Sequence, residues 1–178
     1  MILYVSGDAT EPSGSGQKII AHIVNDLPGW GRGFVVALSQ RWPNTRQTYL
    51  NWKSRDDVFV TGPFALGQVM FHRVSDTITI ANMCAQHGVS GPAPLVRYDA
   101  LKECLDLVMV KALVDSASIH MPRIGCGLGG GTWDKVEPLI GRCLEGLDVT
   151  VYDLEHDGFK AIVQQRETYA EEAWKALK

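Results

Sequence analysis

The chain has 178 residues, 46% hydrophobic and 21% charged, with a formal net charge of −3. That length suits one domain with a sizeable core, and the charge gives no ground to expect nucleic acid or an anionic membrane as partner. Cys84, Cys104, Cys126 and Cys143 show no C-x-x-C spacing and there is no apolar run of bilayer length, so no zinc cluster, metal, cofactor or membrane span is expected.

Met1 to Asp8 has no basic n-region of a signal peptide, so it reads as a first strand in a cytoplasmic protein with reduced thiols. That strand is Ile2–Val5, ending at the polar turn Ser6–Thr10. A Pro/Ser/Gly loop over Glu11–Gln17 leads to Lys18–Val24, whose near-continuous apolar run predicts a strand buried on both faces. Asn25–Gly33 is a glycine-rich loop. Phe34–Trp42 has helical spacing, and Pro43 is expected to stop that helix.

Asn44–Phe64 carries no clear pattern, although Tyr49–Trp52 suits a continued helix. Gly67–Val74 and Thr77–Cys84 read as a strand pair joined at Ser75-Asp76, followed by a loop over Ala85–Pro94. Tyr98, Leu101, Leu105, Val108 and Ala112 mark one face of a helix over Arg97–Val114. Ile119–Met121 is a strand, Asp134–Leu144 a helix and Val149–Leu154 the last strand. Tyr169, Ala173, Trp174 and Leu177 suggest a final amphipathic helix within Glu155–Lys178. Alternating strands and helices give an α/β class with a largely parallel or mixed sheet.

Two loops stand out chemically. Between the strand at Ile119–Met121 and the helix from Asp134, five glycines fall within Met121–Trp133. Gly125, Gly127 and Gly130 fit G-x-G-x-x-G formally, with Glu145 or Asp148 near the expected acidic position. The motif lies late in the chain with one strand left, so no second mononucleotide-binding half follows. A tight strand-to-helix connection would also explain it, but such a turn needs about one glycine. Asn25–Gly33 repeats the strand–glycine loop–helix arrangement. Loops of this kind gather at the carboxyl ends of strands, where two facing backbone cradles suit a pyrophosphate.

Asp8 follows the first strand at the same edge. It is either an Asx turn or an acceptor for a neutral donor such as an adenine amino group. His87 lies in a loop and is the freer general-base candidate. His22 is expected inside a buried strand, and Asn25 at its end could cap a turn or hold a ribose hydroxyl. Trp30 could cover a ligand or plug the core. Cys126 has no obvious activating partner.

Taken together, Gly-Asp-Ala-Thr at Gly7–Thr10, His-Ile-Val-Asn at His22–Asn25, Gly-Trp-Gly-Arg-Gly at Gly29–Gly33, Met121–Trp133 and Val-Tyr-Asp-Leu at Val151–Leu154 resemble the macrodomain family. The likeness is strongest to its terminal ADP-ribose protein glycohydrolases and yeast-type ADP-ribose 1″-phosphate phosphatases. It covers residues 1–154, leaving 155–178 as a C-terminal helical extension packed on the same domain.

The resemblance implies a three-layer α/β/α fold around a mixed sheet, with ADP-ribose or an ADP-ribosylated protein as partner. By position, Gly7, Asp8 and Ala9 would meet the adenine, flanked by Tyr152 and Leu154. Asn25, Trp30, Gly31 and Gly33 would follow the distal ribose and diphosphate. Gly125, Cys126, Gly127, Leu128 and Gly129 would cradle the phosphates. The family's catalytic lysine has no counterpart in Ala81–His87, and Gly129 stands where relatives keep an aspartate. The expected activity is hydrolysis of ADP-ribose derivatives, with His87, Asn25 and His22 as candidate catalytic residues. The alternatives are a non-catalytic ADP-ribose reader and an NAD-dependent oxidoreductase.

Overall fold

The computed structural model describes residues 1–27, 29–52 and 59–154. The predicted C-terminal helix lies outside the described residues. Seven strands form one sheet: β1 (Ile2–Ser6), β2 (Lys18–Asn25), β3 (Phe59–Val60), β4 (Val69–Arg73), β5 (Ile78–Gln86), β6 (Ser118–Pro122) and β7 (Val149–Asp153). Their order is β1-β7-β6-β2-β5-β4-β3. The first five strands in that order are parallel, and β4 and β3 close the far edge antiparallel. Strand β2 sits in the middle, as its near-continuous apolar run requires. Strand β1 is an edge strand, with Leu3 and Tyr4 exposed.

Side chains alternate across β2 and sort into two cores. Ile19 and Ala21 join Ala81, Met83, Ile119 and Met121 on one face. That face is covered by α3 (Tyr98–Asp115) and α4 (Trp133–Cys143), through Leu101, Leu105, Val108, Val136 and Ile140. Ile20 and Val24 face the other way, toward α1 (Phe34–Arg41) and α2 (Asn44–Asn51), packing with Leu38, Tyr49 and Trp52. The result is the expected three-layer α/β/α arrangement around a mixed sheet.

Two elements differ from the sequence expectation. Pro43 does not simply end a helix: α1 stops at Arg41, and Pro43 is the N-cap of a separate helix, α2. Proline is well tolerated at a helix start, where its missing N–H costs nothing. The short strand β3, paired with β4 at Phe59↔Phe71 and Val60↔Met70, had no sequence signal. Among the described residues, no helix is long and apolar enough to cross a membrane.

Candidate functional site

The five parallel strands all end at one edge of the sheet. There β2 and β6, though neighbours, send the chain in opposite directions. Strand β2 continues through α1 and α2 toward β5, and β6 continues through α4 to β7. Their ladder covers only Lys18↔Ser118 to Ile20↔His120, so the carboxyl halves are unpaired with each other. This is a topological switch point, where open α/β sheets bind ligands. A separate cavity of about 260 Å³, lined by residues including Ala112, Leu113, Ser118 and Leu147, lies at the opposite edge, by the starts of β6 and β7. It carries neither of the glycine loops.

The loop after β6 forms one wall of the crevice. Gly125 adopts φ +73°, which L side chains rarely adopt, and a Cβ there would stand 3.3 Å from Ile23 Cδ1. Gly131 N–H donates to Gly125 O at 2.9 Å and Gly130 N–H to Gly127 O at 3.0 Å, closing the loop on itself. The N–H groups of Gly127, Leu128 and Gly129 find no acceptor among the described residues. Such a run of uncommitted backbone donors can cradle an anion. Cys126 is half-buried, its thiol bonded to Ile124 O, and burial raises its pKa. It is therefore no activated nucleophile.

The loop after β2 forms the facing wall. A Cβ on Gly33 would lie 3.6 Å from Leu128 Cδ1, so the two loops stand opposite each other. The N–H groups of Gly31, Arg32 and Gly33 also lack acceptors among the described residues, and α1 starts without a side-chain cap. Its N-terminus therefore offers further donors and the positive end of its dipole.

Asn25 shapes this loop. Its amide nitrogen donates to Gly29 O at 3.0 Å, and its oxygen accepts from Leu27 N–H at 3.0 Å. Trp30 is turned inward, its ring 4.9 Å from Tyr49 and 5.9 Å from His22, and its Nε1 donates to Ser39 Oγ.

His22 lies three residues below the end of β2 and is buried. Asn82 donates through Nδ2 to Met70 O, which leaves its Oδ1 for His22 Nε2 at 2.8 Å. That partner makes Nε2 the protonated nitrogen. Nδ1 has no partner among the described residues. Burial pushes the His22 pKa down to about 4, against an opposing effect of the Asn82 bond. The imidazole is neutral and lies beneath the crevice, not in it.

Asp8 stands at the end of β1. Its Oδ1 accepts from Thr10 N–H at 2.8 Å, the expected Asx turn, and Oδ2 is uncommitted among the described residues. The turn reading therefore holds for one oxygen, and the other is left available to accept a hydrogen bond. Ala9 is buried beside it. Tyr152 supports the turn from below. A Cβ on Gly7 would lie 3.6 Å from its ring, and Gly7 N–H donates to Asp153 O at 2.9 Å. The Tyr152 hydroxyl joins Ser13 N–H and His120 Nδ1, each at 3.0 Å. Leu154 is exposed at the same edge.

His87 follows β5, with its ring largely exposed. Its Nδ1 is 2.6 Å from Asp26 Oδ2, and the other oxygen of Asp26 accepts from Gly88 N–H at 2.7 Å. Burial alone would raise the Asp26 pKa. The Gly88 N–H and His87 outweigh it and hold the carboxyl below the usual range.

The structure thus gathers Gly7, Asp8, Asn25, Gly31, Gly33, His87, Leu154 and the 125–129 loop at one edge. It leaves His22 beneath that edge and spends the side chains of Asn25, Trp30 and Tyr152 on support. Two residues went unnoticed in the sequence. Asp26 looked like one more polar loop residue, 61 positions from His87. Gln86 reaches the glycine loop, its Oε1 3.4 Å from where a Gly129 Cβ would be. Its place at the end of an apolar run was the available signal.

No protein-family model matches the chain. The ADP-ribose 1″-phosphate phosphatase of Candida albicans is 23% identical over 160 residues, 85% of this chain and 99% of that protein. The mouse (Mus musculus) chromodomain-helicase-DNA-binding protein 1-like is 32% identical over 165 residues, or 85% of this chain. The chain spans only 17% of that protein's length. A solved macrodomain protein from Streptomyces coelicolor is 47% identical with a TM-score of 0.74, covering 86% of this chain and 99% of its own. With that identity over nearly a whole solved domain, and the three-layer architecture in common, this chain belongs to the macrodomain family.

Proposed function

We propose that the crevice binds ADP-ribose and that the protein hydrolyses ADP-ribose derivatives: mono-ADP-ribosylated protein or ADP-ribose 1″-phosphate. The observation that carries this reading is the pair of facing glycine loops on β2 and β6. Each presents backbone N–H groups that find no acceptor among the described residues, Gly127–Gly129 on one side and Gly31–Gly33 on the other. A diphosphate between them would meet donors from both walls. The uncommitted oxygen of Asp8 would accept the adenine amino group. The name of the Candida albicans relative, an ADP-ribose 1″-phosphate phosphatase, supports the same ligand class.

For catalysis, His87 is the exposed base at this edge. Asn25 and His22 serve better as loop brace and core residue, since their polar atoms are engaged or buried. Backbone donors fixed in place would add electrostatic stabilisation without a charged side chain. A non-catalytic reader is the second reading. It is favoured by Gly129 and by the lysine-free segment Ala81–His87, which match neither side chain of the lysine-dependent relatives.

Incubating the protein with mono-ADP-ribosylated protein and, separately, with ADP-ribose 1″-phosphate distinguishes the two. Catalytic release of free ADP-ribose from either substrate is expected. Saturable binding without release from both would establish the reader.

A further inference from the structure

We propose that Asp26 is the positioning residue for His87, fixing its tautomer so that Nε2 is the basic atom at the crevice. This rests on the hydrolase reading above. The parallel pairing of β2 and β5 runs in register from Lys18↔Ile78 to Val24↔Cys84, then shifts so that Asn25 pairs with Gln86. Such an irregularity re-aims the side chains that follow it.

Here Asp26 reaches across to the loop after β5. Its own N–H donates to Gln86 O at 3.0 Å, and its Oδ1 receives Gly88 N–H at 2.7 Å. Gln86, at the end of β5, thus anchors the Asp26 backbone, and Gly88 fixes one oxygen of its carboxylate. Its remaining oxygen, Oδ2, stands 2.6 Å from His87 Nδ1. An ionised carboxylate only accepts hydrogen bonds, so Nδ1 carries the proton and Nε2 keeps its lone pair. The Asp26 side chain is 19% exposed and that of His87 62%, so the orienting group is sheltered while the oriented ring is open to solvent.

In the reaction this dyad serves, water attacks C1″ of the ADP-ribosyl group. Its proton passes to His87 Nε2, and the C1″–O bond breaks with its electron pair left on the acceptor carboxylate or phosphate. Asp26 touches neither water nor substrate. It holds the imidazole and stabilises the imidazolium, as carboxylates do beside catalytic histidines elsewhere.

Two measurements on the full chain test this. Imidazole ¹⁵N NMR, with the His87 signals identified by their loss in His87→Gln, is expected to show protonated Nδ1 in the neutral ring. In Asp26→Asn the amide can still satisfy Gly88 N–H, and the proton is expected to move to Nε2. In kinetics, Asp26→Asn and His87→Gln are each expected to lower kcat about a hundredfold, with ADP-ribose affinity unchanged. Their combination is expected to cost no more than either alone.

An unchanged tautomer in Asp26→Asn, or additive losses in the double variant, would overturn the proposal. If the wild type releases no ADP-ribose yet shows the expected tautomer and its reversal, the dyad stands and the hydrolase reading fails.

Discussion

The glycines of the loop after β6 divide into two jobs, and substitution separates them. A Cβ on Gly131 would meet Val96 Cγ1 at 2.7 Å and Gly125 O at 2.9 Å, whereas one on Gly127 would meet nothing within 4 Å. Gly131→Ala is therefore expected to destabilise the fold by roughly 1–3 kcal/mol. Gly127→Ala should leave stability within about 0.5 kcal/mol of wild type while weakening ADP-ribose binding. Urea unfolding and calorimetric titration of both variants check this. Equal destabilisation by the two would remove the distinction. Such division of labour is not legible from spacing alone, because both glycines sit in one G-rich string. Asp26 escaped notice for a related reason. Only the fold brings it to His87, whereas Asp8 and the glycine loops announce themselves by following apolar strands.

Among the elements, the central strand was plain from its apolar run, but its polar exceptions needed the structure. His22 on β2 and His120 on β6 are both buried. Burial pushes each pKa down to about 4, helped at His120 by the charge of Lys18. Unfolding restores an ordinary value near 6.5, so between pH 6.5 and 4 the unfolded chain binds more protons than the folded one. The stability held by these neutral rings is complete above pH 6.5 and is lost as pH falls toward 4. The loss is roughly 3 kcal/mol per histidine at about 1.4 kcal/mol per pH unit. Asp26 and Asp153, with pKa values lowered from 3.8, act below this window.

Urea unfolding at pH 7 and pH 4.5 is expected to show the drop, and His22→Gln should flatten it. An unchanged slope in that variant would contradict the assignment. Strand β3 was concealed in the sequence, and of helix α2 only the end, within Tyr49–Trp52, was read as helical. Only Thr45 and Tyr49 of α2 are buried, too few to print a helical period, and β3 has two residues.

For the molecule as a whole, the order of strands makes the site. Because β2 and β6 diverge, two loops nearly 100 positions apart in sequence become facing walls, and Asp8 closes the same edge from β1. Their glycines were legible as a candidate ligand site before the fold was known, and the formal G-x-G-x-x-G was not decisive. In the fold that motif faces a second glycine loop and is not the first turn of a dinucleotide-binding half. ADP-ribose and NAD share the adenosine and diphosphate and differ at the distal ribose, so the pair is the sharpest comparison. The most direct test is calorimetric titration of the full chain with each, alongside Asp8→Ala. The expected result is saturable one-to-one binding of ADP-ribose, weakened about tenfold or more by loss of the Asp8 acceptor, with no binding of NAD at the same concentrations. NAD binding as tightly as ADP-ribose, or ADP-ribose binding indifferent to Asp8→Ala, would contradict it.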